Sequence, residues 1–86
     1  MPMKCNVDCS VVTGAAAMHR VLAQALNFPE WYAHNLDALF DCLTELEEPV
    51  HLVLENWDVD APYAEGFACV FADAREENPD FTVEFL

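Results

Sequence analysis

Alternating hydrophobic and polar residues predict three β-strands in this chain. Lys4 to Cys9 and Phe81 to Phe85 each place apolar side chains on one face and polar side chains on the other. Val50 to Glu55 is a third segment of this kind, with valine and leucine on its apolar face. Each segment has the length of an ordinary strand in a globular protein.

Between these strands, the apolar residues follow the 3.6-residue period of a helix. The predicted helices run from Gly14 to Leu26 after an N-cap at Thr13, from Leu36 to Leu46, and from about Pro62 to Glu77, before Pro79. Strands separated by helices favour a parallel sheet. We therefore predict an α/β fold, with a small three-stranded parallel sheet packed with about three to four helices. Because all three strands alternate, the helices should lie mainly on one face of the sheet.

Length and composition are consistent with one small folded unit. The 86 residues predict a single domain over residues 1–86 with a modest core, and an apolar content of 55% is too high for a disordered acidic chain. No run approaches the ~20 apolar residues of a membrane span, and Met1 to Lys4 are not followed by the apolar core of a signal peptide. A cytoplasmic protein that does not bind membranes is expected.

Charge and cysteine content exclude several kinds of site. Sixteen acidic residues against three basic ones give a net charge of −13, which argues against nucleic-acid binding and favours either solubility or a basic partner. Cys5 and Cys9 would lie ~13 Å apart along a strand, too far for a disulfide, and are expected to be small buried residues. Since the four cysteines form no CxxC pair and have no histidine at metal-ligand spacing, neither a metal nor a cofactor is expected.

The second predicted helix carries three carboxylates on one side, and we call Asp37, Asp41 and Glu45 the acidic ridge. At 100° per residue they fall within a sector of about 80°, opposite an apolar stripe of four leucines. Asp37 follows an N-cap at Asn35 and is stabilised there by the helix dipole, so it could be an ordinary first-turn acid. Asp41 is harder to explain by folding alone, because aspartate is a poor interior helix residue and like charges four residues apart repel. A residue that opposes local stability often serves function.

Aromatic residues surround the acidic ridge. Trp31 and Tyr32 lie in the short loop before the N-cap, and Phe40 lies between the apolar stripe and the ridge. Either loop aromatic could turn inward to fill a small core. Together, however, the three resemble the aromatic anchors of a protein-binding hot spot, which suggests a protein partner.

The segment FPEWYAHNLDALFDCLTEL, Phe28 to Leu46, resembles the signature of the barstar family, intracellular protein inhibitors of the secreted ribonuclease barnase. The resemblance runs without gaps through these residues, and the order of strands and helices fits along the whole chain. It implies an inhibitor without enzymatic activity, whose second helix and preceding loop cover the active site of a basic secreted ribonuclease in a one-to-one complex.

Residue by residue, the resemblance implies that Asp41 enters the phosphate-binding centre of the enzyme and that Asp37 meets a neighbouring basic group. Trp31 matches a tyrosine that packs on the catalytic histidine, and Asp73 matches, less closely, a glutamate that pairs with an arginine. Phe40 and Leu46 stand where the family has tryptophans, and residues 56–66 are short for the family's third helix. The predicted partner-binding residues are Trp31, Tyr32, Ala33, Asn35, Leu36, Asp37, Phe40, Asp41, Thr44, Leu46 and Asp73.

Other functions remain open at the level of sequence. Asp37 and Asp41 could form an acid/base pair of an enzyme, although a convex helix face offers little room for a substrate cleft. A divalent-cation module would need loop carbonyl ligands, which three helix-borne carboxylates do not supply. A barstar-like domain could also bind a different basic toxin nuclease or a regulatory protein. Glu47 and Glu48, beyond the second helix, are expected to remain hydrated and to act on a partner at long range.

Overall fold

The computed structural model describes residues 3–86 and has the predicted α/β architecture. Met1 and Pro2, which entered the argument about a signal peptide, lie outside the described residues. The elements in chain order are β1 (Met3–Asp8), a 3₁₀ turn (Cys9–Val11), α1 (Ala15–Ala25), α2 (Leu36–Thr44), β2 (Val50–Glu55), α3 (Ala64–Glu77) and β3 (Phe81–Phe85). The fold class predicted from the sequence is confirmed.

The three strands form one parallel sheet in the order β1-β2-β3. Met3 pairs with Val50 and Val50 with Phe81, so all three strands start at the same level. α1 and α2 connect the first pair of strands and α3 connects the second. Each connection is a helical crossover, as parallel neighbours require.

The hydrophobic core lies between the helices and one face of the sheet. Its fully buried side chains come from every helix and from two strands: Met18, Leu22, Leu39, Leu43, Val50, Leu52, Leu54, Phe67, Phe71 and Phe81. The opposite face is polar, with Lys4, Asn6 and Asp8 exposed on β1 and Thr82 and Glu84 exposed on β3. This agrees with the expectation that the helices cover mainly one face.

Several element boundaries differ from the predicted ones. β1 ends at Asp8, because its carboxylate accepts a hydrogen bond from the Ser10 N–H (3.0 Å) and turns the chain into the 3₁₀ segment. Thr13 is not the N-cap of α1; Gly14 holds that position without a side-chain hydrogen bond. α2 ends at Thr44, so Leu46 lies beyond the helix, and α3 begins two residues later than predicted.

α3 holds α2 at both ends. The buried Asn78 donates from Nδ2 to the Leu43 carbonyl in the last turn of α2, at 3.0 Å. At the other end, Leu36 Cδ1 lies 3.1 Å from the position that a Cβ on Gly66 would occupy. A glycine thus permits the close approach of the two helices, and α2 has little freedom to move relative to α3.

Three of the four cysteines are buried and the fourth, Cys69, is exposed, all as free thiols. The prediction that Cys5 and Cys9 are buried is confirmed, and burial raises the pKa of both thiols. Among residues 3–86, no group of three His, Cys, Asp or Glu side chains is placed to hold a metal ion. In the same part of the chain, none of the helices combines the length and the apolar character needed to cross a membrane.

Candidate functional site

The acidic ridge projects from a helix whose other side is locked into the core. Leu39, Cys42 and Leu43 are buried, whereas Asp37 and Asp41 are exposed. The Asn35 side chain accepts a hydrogen bond from the Ala38 N–H at 2.7 Å, which confirms the predicted N-cap. Because the helix is capped and packed, the backbone positions of Asp37 and Asp41 are set before any partner arrives.

The acidic ridge has no cationic partner in the described part of the chain. The ion pair found within residues 3–86 joins His51 and Glu84 at 3.1 Å, on the polar face of the sheet. The carboxylates of Asp37, Asp41 and Glu45 are therefore exposed to solvent without a salt bridge. Like charges four residues apart on a helix cost about 0.2–0.5 kcal/mol, which this fold does not offset with a nearby base.

Of the two aromatic residues in the loop before α2, one points outward and the other inward. Trp31 is 75% exposed, whereas Tyr32 is 5% exposed. The Tyr32 hydroxyl lies 2.6 Å from His19 Nδ1 on α1, and its ring lies 5.0 Å from the ring of Phe28. The expectation that the Tyr32 side chain belongs to an exposed binding surface is therefore wrong: it anchors the loop to the core.

The contact between Tyr32 and His19 is one between neutral groups. Burial, with a smaller contribution from Cys42, raises the pKa of Tyr32 to about 12. Burial, followed by repulsion from His34, lowers the pKa of His19. At pH 7 the hydroxyl is therefore protonated and can donate to an unprotonated Nδ1. A satisfied buried hydrogen bond of this kind fixes the loop that presents Trp31.

The backbone turns sharply where this loop meets α2. His34 adopts a positive φ of 55°, a left-handed conformation that is uncommon for residues other than glycine. The next residue, Asn35, is extended and begins the helix. This turn brings the exposed Ala33 and Asn35 to the end of the ridge.

The other predicted partner-binding residues differ in exposure. Leu36 is 36% exposed despite its contact with α3, and Phe40, Thr44 and Leu46 are partly buried. Asp73 is exposed on α3. It follows Gly66 by seven residues, which places both on one side of α3, about 20° apart and about 10 Å apart along the axis. Since Gly66 contacts α2, Asp73 lies on the side of α3 that faces the ridge helix.

A cavity that the sequence did not indicate lies beside the ridge, and we call it the lateral pocket. Its volume is about 440 Å³. Its lining residues are Met3, Leu26, Asn27, Pro29, Trp31, Cys42, Glu45, Leu46, Glu47, Glu48 and Val50. Since these residues come from separate segments of the chain, no local pattern could have revealed it. Glu47 and Glu48 remain exposed, as expected, but the structure places them at this pocket.

Comparison with known protein families agrees with this geometry. The family model described as Barstar (barnase inhibitor) matches residues 3–86. The chain belongs to the barstar family. The match extends from β1 to the end of the described chain, so it covers the sheet as well as the segment around α2. The resemblance inferred from Phe28 to Leu46 is thereby confirmed.

Two curated proteins contain segments that are similar to this chain. The chain is 40% identical over 68 residues to "Putative ribonuclease inhibitor YrdF" of Bacillus subtilis (strain 168), covering 73% of this chain and 75% of that protein. It is also 33% identical over 75 residues to "Cytochrome P450 monooxygenase pynD" of Aspergillus niger (strain ATCC MYA-4892 / CBS 513.88 / FGSC A1513), covering 72% of this chain. The second alignment spans only 16% of the fungal protein, so the name of that protein carries no argument about this chain.

Proposed function

We propose that this protein inhibits a small, basic, secreted ribonuclease of the barnase type, in a one-to-one complex formed in the cytoplasm. The observation that carries the proposal is the exposed pair Asp37 and Asp41 on a helix fixed by its N-cap and by α3, with exposed Trp31 in the preceding loop. Family membership and the resemblance to a protein named as a ribonuclease inhibitor support the same role. The protein acts by binding and has no enzymatic activity in this proposal.

The proposed mechanism is substrate mimicry combined with occlusion. A ribonuclease active site must be cationic to hold a phosphodiester, and a carboxylate on a rigid helix can occupy the same position without a bond to cleave. Asp41, in the middle of α2, takes the position of the phosphate. Asp37, one turn earlier, meets a second basic group. Trp31 packs on the catalytic histidine and excludes water from the charged contacts.

Within residues 3–86 the acidic ridge forms no salt bridge, and the partner can supply the missing counter-charges. Arginine and lysine side chains of the enzyme would offset the repulsion between Asp37 and Asp41, which the fold leaves unrelieved. The same carboxylates, together with a net charge of −13, would attract a basic enzyme before contact. A pair of like charges that slightly destabilises the free protein would thus become favourable in the complex.

Titration of barnase with the purified protein, using a fluorogenic RNA substrate, tests this proposal. We expect complete inhibition at one equivalent, and at least about thirtyfold weaker inhibition by Asp41→Ala, since truncation of a central charged contact typically costs ~2–5 kcal/mol. Glu84→Ala is the matched control, because it removes one carboxylate from the opposite face of the sheet. It should change the inhibition constant by less than about threefold.

Either of two results would contradict the proposal. One is normal inhibition by a folded Asp41→Ala variant. The other is turnover of RNA by the protein itself that disappears in this variant. A third result would separate the binding surface from the partner. If barnase is not inhibited but another basic nuclease binds in an Asp41-dependent way, the assignment of the binding surface stands and the assignment of a barnase-type partner is wrong.

A further inference from the structure

The lateral pocket combines an apolar floor with an acidic rim. Leucine, proline, methionine and valine side chains, with the buried Cys42, form the floor, and Trp31 forms part of the wall. Glu45, Glu47 and Glu48 are exposed at its edge, and none of its lining residues is basic. An occupant must therefore be apolar along its length and positively charged at its outer end.

We infer that the lateral pocket receives an arginine side chain of the partner protein, separately from the contacts of Asp37 and Asp41. Its aliphatic stem can lie along the apolar floor while the guanidinium stays at the wet rim. The planar guanidinium can form paired hydrogen bonds with carboxylates and stack on the exposed face of Trp31. This inference rests on the proposed function, because it places the arginine on the enzyme that the ridge binds.

The position of the pocket supports this occupant. Trp31 and Leu46 belong both to the pocket lining and to the partner-binding residues predicted from the sequence. A partner that covers the ridge would therefore also reach the pocket. Burial raises the pKa of Cys42, with added contributions from Glu45 and Asp41, so the negative field of the helix extends to the pocket floor while the thiol stays neutral.

Charge argues against other occupants. An acidic or neutral polar side chain would leave three carboxylates without a counter-charge. A second copy of this chain brings another net charge of −13 and only three basic residues. Lysine carries the required charge, but a compact ammonium cannot stack on Trp31 as a planar guanidinium can.

Titration of the ¹⁵N-labelled protein with N-acetyl-arginine amide, followed by NMR, tests the inference without a ribonuclease. We expect saturable shifts of the Trp31 indole N–H and of the Asn27 and Leu46 amides. N-acetyl-citrulline amide has nearly the same shape without the charge, and its shifts should be at least about fivefold smaller. No shift at Trp31, or equal shifts with both compounds, would overturn the inference.

Two triple variants with the same net charge separate the pocket from the general field of the protein. Glu45→Gln/Glu47→Gln/Glu48→Gln neutralises the rim, whereas Glu76→Gln/Glu77→Gln/Glu84→Gln neutralises exposed acids outside the pocket lining. The rim variant should weaken arginine binding at least about fivefold and the control less than about twofold. Equal weakening by the two variants, or arginine shifts confined to residues 37–41, would overturn the inference.

The outcome can be distinguished from that of the proposed function. If arginine does not enter the pocket while Asp41→Ala still abolishes inhibition of barnase, only the pocket inference is wrong. If arginine enters the pocket and barnase is not inhibited, the proposed barnase-type partner is wrong and the pocket is retained.

Discussion

Asp41 is an exposed aspartate inside a helix, one turn after another aspartate, and both features disfavour the helix. Asp41→Ala should therefore increase the free energy of unfolding by about 0.2–1 kcal/mol, since it removes a repulsion and introduces a better helix former. The same change should weaken binding to the ribonuclease by ~2–5 kcal/mol. Measurements on the complex of barnase and barstar are among the data from which this general range is taken. The increase in binding free energy should appear mainly as faster dissociation.

Stability and binding should thus move in opposite directions at this one residue. Urea denaturation and surface plasmon resonance on a single preparation measure both quantities. A variant that loses binding only because it unfolds would show that Asp41 is structural rather than part of the binding surface.

His19 makes stability depend on pH, because its pKa is lowered in the folded protein by burial and then by His34. In the unfolded state His19 binds a proton with a pKa of about 6.5, whereas in the folded state it binds the proton only at lower pH. The contribution of His19 to the free energy of unfolding should therefore be constant above about pH 7 and fall as the pH drops below about 6.5, until the lowered pKa is reached. Urea denaturation between pH 7.5 and 5 measures this decline.

His51 provides the matched control for the pH experiment. It lies on the polar face of the sheet, where Nδ1 contacts Thr82 at 2.7 Å, outside the hydrophobic core. His19→Gln should flatten the decline, although it lowers stability at every pH by leaving the Tyr32 hydroxyl without its partner. If His51→Gln flattened the decline instead, the assignment to His19 would be wrong.

At the scale of elements, one buried amide joins the end of α2 to the end of α3. Asn78→Ala removes the donor to the Leu43 carbonyl and should lower the free energy of unfolding by about 1–3 kcal/mol, because a buried carbonyl is left unpaired. Asn6→Ala removes an exposed bond to Glu55 on the sheet and should cost less than about 0.5 kcal/mol. Urea denaturation compares the two, and equal costs would contradict the buried attachment.

The two helix starts offer a second comparison at this scale. Asn35 makes a side-chain cap on α2, whereas Thr13 makes none on α1. Asn35→Ala should therefore cost about 0.5–2 kcal/mol, and Thr13→Ala less than about 0.5 kcal/mol. Thermal denaturation of both variants checks the ranking. A larger loss of stability for Thr13→Ala than for Asn35→Ala would show that Thr13 caps α1 after all.

At the scale of the whole molecule, the net charge should act on the rate of encounter. The variant Glu76→Gln/Glu77→Gln/Glu84→Gln removes three charges outside the proposed contacts and should slow association with barnase at low salt. Its dissociation rate should not change, because none of these residues belongs to the proposed interface.

Salt dependence provides the check on this prediction. The effect on association should shrink as the Debye length falls from ~30 Å at 0.01 M salt to ~8 Å at 0.15 M. Stopped-flow kinetics at several salt concentrations measure the association rate constant. Complexes of barnase with barstar are themselves a standard example of electrostatic steering. An altered dissociation rate would show that these acids touch the enzyme.

The sequence by itself determined the features that depend on neighbours along the chain. The three strands, the three helices, the Asn35 cap and the exposure of Asp37 and Asp41 on α2 agree with the sequence predictions, because the backbone and residues three or four positions away decide them. The family signature in Phe28 to Leu46 is likewise contiguous. These features were sufficient to predict the fold class and to select Asp37 and Asp41 as candidate residues.

The tertiary structure decided everything that depends on distant segments. Tyr32 and Trp31 are adjacent aromatics, yet Tyr32 alone is buried, because His19 on α1 lies where its hydroxyl can reach it. The lateral pocket exists only because the loop before α2, the end of α2 and the starts of two strands meet at one place. Burial is a property of the packed chain, since the atoms that exclude water from a side chain belong to residues far from it in sequence.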